Sequence, residues 1–102
     1  MAAFSNPIAY NPNNVSFHVP GQPGVYRLYD SLRSCFYVGQ AEHLPSRLSD
    51  HLQPSEQNSC IRGKVRSQIC YVDYAVIPSK RERDTVETAE ILRLRPVCNN
   101  RL

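Results

Sequence analysis

The sequence contains no apolar run that approaches the roughly 20 residues required by a membrane-spanning helix. Its start also lacks the basic region of a secretory signal, so we expect no membrane partner and an intracellular, cytoplasmic location. Internal repeats and low-complexity segments are absent too. With 102 residues, 41% of them hydrophobic and 21% charged, the chain is predicted to form one domain around a single modest core.

A second absence is the C-x-x-C pair. The four cysteines are widely spaced, which argues against a zinc knuckle or ribbon. We therefore expect free thiols, with Cys35 and Cys70 acting as small apolar residues inside strands. The other two cysteines are Cys60 and Cys98.

Formal charge is missing from the first 26 side chains. Residues 1–19, rich in Asn and Pro, are predicted to form an arm that either wraps over the domain or stays mobile, and residues 20–102 to form the domain itself. The net charge of +3 attracts polyanions only weakly, so charge alone does not diagnose nucleic-acid binding. Ten of the twelve cationic residues are arginine, however, whose planar guanidinium suits bidentate phosphate contacts.

Hydrophobic periodicity predicts an α+β fold. Residues 24–30 and a segment starting at Cys35 read as two strands of an antiparallel hairpin. Leu44, Leu48 and Leu52 recur every four positions, as in a short helix. A loop and second short helix over 54–66, a strand over 68–77, and a helix from the Ser79 cap to about Arg95 complete the pattern. The expected result is a small sandwich in the order β-β-α-α-β-α, with a three-stranded antiparallel sheet flanked by helices.

Two short motifs carry the chemical information, GVY at 24–26 and YVG at 37–39. Each is weak evidence alone, because such strings are common in strands and turns. Their spacing to Arg47, Glu87 and Asn99 is more informative. Two tyrosines on adjacent strands, an arginine on the next helix and a carboxylate on a late helix supply what phosphodiester hydrolysis requires: an activated water, charge compensation and a metal-binding group.

On these motifs the chain resembles the GIY-YIG nuclease superfamily over residues 20–100. Within it, PGVYRLYD and YVGQAEHLPSRL are most similar to PGVYRMYD and YVGKAKDLKKRL in the amino-terminal nuclease domain of the excision-repair excinuclease C. The tail ETAEILRLRPVCN also resembles the family pattern, in which a metal-binding glutamate precedes a helix-ending proline and then an asparagine.

The resemblance implies a metal-dependent endodeoxyribonuclease acting in DNA repair by a single-metal mechanism. Glu87 would be the only side-chain ligand to Mg²⁺ or Mn²⁺, with water and phosphate oxygens completing the octahedron. Arg47 would clamp a phosphate oxygen, and Asn99 would hydrogen-bond within the site and hold the last turn. The role of general base stays shared between Tyr26 and Tyr37.

Further residues are candidates for substrate binding. The two motif glycines would allow close backbone approach, and His51 shares a helical face with Arg47. The basic stretch at 62–66 would follow a nucleic-acid backbone, or else be an ordinary solvated face. The candidates are Gly24, Gly39, Gln40, His51, Arg62, Lys64 and Arg66.

The chain departs from its relatives at Gln40, where they place a lysine. A free tyrosine has a pKa of about 10, so loss of a nearby cation makes a phenolate harder to form. The alternative function is therefore a catalytically weak or inactive GIY-YIG module that binds nucleic acid with a partner, and a third is a purely structural protein-interaction domain. We expect DNA as the partner molecule, together with a separate specificity or DNA-binding subunit.

The carboxylate assignment has competitors on the same helix. Arg83 precedes Glu87 by four residues and could form an ordinary surface pair with it, while Glu90 has a comparable partner in Arg93. We favour Glu87 as the metal ligand because it lies nine residues before the helix-ending Pro96, as the family pattern requires.

Overall fold

Four strands and four helices follow one another along residues 3–99, the part of the chain that this computed structural model describes. They confirm the predicted α+β architecture, and from residue 24 onward they keep the predicted order. In chain order the elements are β1 (Ile8–Ala9), α1 (Pro12–His18), β2 (Gly24–Tyr29), β3 (Cys35–Ala41), α2 (Leu44–His51), α3 (Ser59–Ser67), β4 (Tyr71–Val76) and α4 (Lys80–Leu94).

The sheet is antiparallel with strand order β1-β4-β2-β3. It has one strand more than predicted, because Ile8–Ala9 pairs with Val72 and Tyr71. Two residues are too few to show an alternating pattern, so the sequence could not reveal this strand. Central β2 pairs with β3 and β4 along its whole length. At Gly24 the neighbouring strand comes so near that an added Cβ would lie 2.2 Å from the carbonyl oxygen of Ala75.

The uncharged amino-terminal segment packs on the body of the domain. Asn11 caps α1 by accepting a hydrogen bond from the backbone N–H of Asn14. Val15 in α1 is buried in the main core, and the Tyr10 phenol donates to the carbonyl oxygen of Leu48 in α2. Residues 8–19 therefore support α2, the helix that also carries Arg47.

The two faces of the sheet are covered differently, as alternation along β2 requires. One face packs against α1, α2 and α3 in the larger core, whose members include Val15, Tyr26, Leu28, Leu44, Leu48, Ile61 and Val72. The other face packs against α4 around Val25, Val38, Ala75 and Ile77. The side chains of Tyr26 and Tyr37 consequently lie on the face of the sheet opposite to the one that α4 covers.

The expectation of four free thiols is wrong for Cys60 and Cys98, which form a disulfide. They are 38 residues apart in sequence, and only the tertiary structure brings α3 to the carboxy-terminal segment. Backbone contacts fix the same region, because the Cys98 N–H donates to the carbonyl oxygen of Phe36 in β3. Cys35 and Cys70 remain free, as predicted.

Reducing this disulfide should lower the free energy of unfolding by about 4 kcal/mol, because a cross-link closing a loop of this length restricts the unfolded chain. Urea denaturation with and without dithiothreitol measures the difference. A double variant, Cys60→Ser with Cys98→Ser, is the control and should not respond to the reductant. A wild-type midpoint that is unchanged by reduction would contradict the prediction.

Candidate active site

Tyr26 lies at the centre of the site. Its side chain is 0% exposed, and its hydroxyl oxygen is 2.6 Å from Nε2 of His51 in the last turn of α2. Gly39 pairs with Tyr26 across the hairpin, and a Cβ at position 39 would lie 2.4 Å from the phenol oxygen. The glycine of the second motif is thus required because the phenol of the first occupies the space beside it.

A carboxylate orients the histidine. Nδ1 of His51 contacts Oε1 of Glu56, whose other oxygen accepts from the backbone N–H of Asn58 at 2.8 Å. Because Nδ1 faces a carboxylate, this network assigns the ring proton to Nδ1 and leaves Nε2 to accept from the Tyr26 hydroxyl. Burial lowers the pKa of His51 below its ordinary value of 6.5, against the hydrogen bond and charge of Glu56.

Glu56 was not among the sequence candidates. It lies in the loop after α2, five residues beyond His51, where no helical or strand periodicity relates the two side chains. The only sequence signal is an acidic residue in a polar loop shortly after a histidine, which is too common to be diagnostic. Only the folded conformation of the loop between α2 and α3 brings Glu56 to His51.

Tyr37 and Arg47 complete this side of the site. The Tyr37 ring lies 5.4 Å from the ring of His51 in a T-shaped arrangement and 6.2 Å from that of Tyr26, measured between centroids. Burial, followed by Tyr37, raises the pKa of Tyr26 well above its ordinary value, although the charge and hydrogen bond of Arg47 oppose the rise. Tyr26 is therefore a neutral phenol beside a neutral imidazole.

Gln40 and Glu87 form a second group on the α4 side of β3. Nε2 of Gln40 donates to Oε1 of Glu87 at 2.8 Å and to Oδ1 of Asp84 at 2.6 Å. The charge of Glu87 also raises the pKa of Tyr26, although its influence is smaller than those of burial, Tyr37 and the opposing Arg47. The two groups meet where Gly39 and Gln40 follow one another in β3.

Of the two ion pairs considered for the carboxylates of α4, one forms and the other does not. Glu90 does pair with Arg93, at 2.7 Å. Arg83 is buried and donates to main-chain carbonyl oxygens at the end of β4, so it does not provide the surface partner considered for Glu87. The contacts of Glu87 instead run to β3.

The donor chemistry at Glu87 fits a hydrated Mg²⁺ or Mn²⁺ ion. Magnesium is commonly held by one or two carboxylates, with water and substrate phosphates in its other positions. Within residues 3–99 no group of three or more His, Cys, Asp or Glu side chains is arranged to enclose a metal. A single half-buried carboxylate, held on one oxygen by Gln40, therefore suits an open site rather than a protein cage.

Asn99 acts on the backbone of β3. Its Oδ1 accepts from the N–H of Val38 at 2.8 Å, and its Nδ2 donates to the carbonyl oxygen of the same residue at 2.9 Å. The amide thus replaces a strand partner at the outer edge of the sheet. Through Val38 it holds the positions of Tyr37 and Gly39, which flank that residue.

The basic stretch on α3 engages other parts of the chain. Arg62 donates to the main-chain carbonyl oxygen of Glu56, and Nζ of Lys64 is 3.9 Å from a carboxylate oxygen of Asp30. Arg66 is exposed. Arg62 therefore supports the loop that carries Glu56. None of the helices in the described part of the chain has the length and apolar character needed to cross a membrane.

Comparison with known proteins finds a matching family model and similar sequences. The model of the UvrC-like GIY-YIG domain family matches residues 22–100. UvrABC system protein C from Pseudoalteromonas atlantica is 33% identical over 78 residues, and that from Rickettsia rickettsii is 29% identical over 80 residues. These alignments cover 76% and 78% of this chain but only 13% and 12% of the relatives, so the chain spans about an eighth of their length.

A solved structure shows the same fold. The GIY-YIG N-terminal endonuclease domain of UvrC from Thermotoga maritima, bound to its catalytic divalent cation, magnesium, superposes with a TM-score of 0.67. The two sequences are 25% identical, and the match covers 85% of this chain and 92% of that domain. Over that part of the chain, the fold is therefore shared with a magnesium-binding endonuclease domain.

Proposed function

Because the chain belongs to the UvrC-like GIY-YIG domain family, as its motifs predicted, we propose that it is a divalent-metal-dependent endonuclease that hydrolyses DNA phosphodiester bonds. The observation that carries the proposal is the directed line of hydrogen bonds from Tyr26 through His51 to Glu56. Such a line can move a proton away from an attacking water. Arg47 and Glu87 lie near enough to influence the same phenol.

Tyr26 is the general base in this mechanism. Its raised pKa disfavours a free phenolate, so the proton transfer is coupled: Tyr26 Oη takes a proton from water while its own proton passes to Nε2 of His51. Glu56 stabilises the imidazolium that results. The hydroxide attacks phosphorus, the bond to the 3′ oxygen breaks, and the departing 3′ alkoxide takes a proton from solvent. The products carry 5′-phosphate and 3′-hydroxyl ends, and His51 later returns its proton to solvent.

The charge that develops on the phosphate is compensated by Arg47 and by the cation that Glu87 would hold. The exposed Arg47 guanidinium binds a non-bridging phosphate oxygen as the extra negative charge develops. A divalent cation held by Glu87 would supply further neutralisation at the phosphate and at the leaving oxygen. Asn99 keeps β3, and with it Tyr37, in position.

Target selection is proposed to depend on a partner. The matched relatives are components of the UvrABC system and are much longer than this chain. The site residues described above act on the phosphodiester and its charge, and they read no base. We therefore propose that DNA is presented by a separate specificity or DNA-binding subunit.

A binding module with little or no catalysis is the second candidate, favoured by the uncharged Gln40. Here its amide is engaged with two carboxylates, so it adds no cation next to the tyrosines. This candidate predicts that the protein binds DNA without cutting it in the presence of Mg²⁺ or Mn²⁺.

Replacing Glu87 with alanine should reduce metal-dependent nicking by about a thousandfold, since a catalytic metal ion contributes several kcal/mol of transition-state stabilisation. Supercoiled plasmid and flapped or branched oligonucleotides are incubated with Mg²⁺, Mn²⁺ or EDTA. Glu82→Ala is the matched control, because Glu82 is exposed in the first turn of the same helix. If wild type and Glu87→Ala bind DNA equally and neither cuts it, the binding module is the better interpretation.

A further inference from the structure

Arg83 is a buried cation that the mechanism above does not use. The residue is 3% exposed, although it belongs to a helix with a mostly exposed surface. A buried guanidinium is costly unless its donors are satisfied. Nη1 donates to the carbonyl oxygens of Ile77 at 3.0 Å and Pro78 at 2.8 Å, which anchors the group where β4 passes into α4.

A third bond from Arg83 reaches the candidate metal site. Nε donates to Oε1 of Gln40 at 3.3 Å, while Nε2 of Gln40 donates to Asp84 and Glu87. The amide is thus satisfied at both ends, with its oxygen toward a cation and its nitrogen toward carboxylates. Turning it over would set its oxygen against both carboxylates and its nitrogen against the guanidinium.

We propose that Arg83 is a positioning residue that acts through Gln40 to hold the Glu87 carboxylate in the orientation that binds the divalent cation. The inference rests on the proposed function. Two carbonyl oxygens fix the guanidinium, the guanidinium fixes the Gln40 amide, and the amide holds Oε1 of Glu87. Groups that orient a metal ligand in this way typically change metal affinity by 10- to 100-fold when removed.

A role limited to stability makes different predictions. If Arg83 served only to satisfy the carbonyl oxygens of Ile77 and Pro78, then folded Arg83→Lys would keep wild-type metal affinity, even though Gln40 contacts Glu87 directly. The effects of changing Arg83 and Gln40 would also be independent. Coupling between the two residues in metal binding is therefore the property to measure, because residues in one hydrogen-bond network are non-additive.

The test is a double-variant cycle on the full chain with Gln40→Ala, Arg83→Lys and the two combined. Lysine keeps the charge, but one ammonium lacks the guanidinium fork that reaches both the carbonyl oxygens and Gln40. Mn²⁺ affinity is measured from the electron paramagnetic resonance signal of free Mn²⁺, and plasmid nicking is measured in parallel. Thermal unfolding in EDTA checks that each variant is folded, and exposed Arg81→Lys is the matched control.

Each single variant should bind Mn²⁺ about tenfold more weakly, and the double variant no more weakly than the weaker single one. Wild-type Mn²⁺ affinity in either folded single variant would overturn this inference, and so would effects that multiply in the double variant. In both cases the proposed function stands, provided that Glu87→Ala loses Mn²⁺. If the wild-type protein binds no Mn²⁺, or binds it no more tightly than Glu87→Ala does, both the proposed function and this inference are overturned.

Discussion

Replacing Gly39 with alanine should abolish cleavage and destabilise the domain by about 3 kcal/mol, the upper part of the range for overpacked cores. The added Cβ would lie 2.4 Å from Oη and 2.6 Å from Cζ of Tyr26. The ring is fully buried, so it cannot move aside without displacing its neighbours. Movement would also break the hydrogen bond to His51, on which the proposed proton transfer depends. Urea denaturation and plasmid nicking measure the two effects.

Gly63→Ala is the matched control for this substitution. Gly63 lies inside α3, and an added Cβ there would meet no atom within 4 Å. Alanine should stabilise that helix by up to about 1 kcal/mol and leave nicking unchanged. Wild-type stability and activity in Gly39→Ala would show that the phenol does not occupy the space beside Gly39.

Removing the phenol oxygen alone, with Tyr26→Phe, should lower the cleavage rate by about 10²- to 10⁴-fold, the usual contribution of a general base. The aromatic ring keeps its packing, so circular dichroism and thermal unfolding should report a folded domain. Single-turnover cleavage of plasmid at saturating Mg²⁺ isolates the chemical step. An unchanged rate would exclude Tyr26 as the base and transfer that role to Tyr37, the other tyrosine of the motifs.

The same proton path predicts a pH dependence that Glu56 controls. His51 accepts a proton only while it is neutral, and burial lowers its pKa below 6.5, so activity should fall on the acid side of that value. Glu56 raises the pKa of His51 against the effect of burial. Glu56→Gln should therefore slow cleavage and also move the acid limb to lower pH.

The pH profile separates this role from simple support of the fold. The other groups that influence His51 are Tyr26, Tyr37, Arg47 and Asp50, and all of them stay in place in Glu56→Gln. A loss of stability would lower the amplitude of the profile without moving its limb. If the acid limb of Glu56→Gln stays at the wild-type pH, the proposed proton transfer from Tyr26 to His51 is contradicted.

Much of the fold and half of the site follow from local sequence patterns. Alternation over 24–30 and the short connection before Cys35 specify a hairpin, which by itself places Tyr26 opposite Gly39 and near Tyr37. The four-residue spacing of Arg47 and His51 places both on one side of α2. These relations are predictable because strand and helix periods determine the positions of residues close in sequence.

The tertiary structure alone decided the remaining features. These are the pairing of β1 with β4, the Cys60–Cys98 disulfide, the contact of Glu56 with His51 and the burial of Arg83. Helix periodicity alone would also allow Arg83 to form a surface pair with Glu87. In the folded protein it donates instead to the carbonyl oxygens of Ile77 and Pro78, which follow β4. Periodicity indicates which face of an element is buried, whereas the identity of the group that meets a side chain depends on how elements and loops pack together.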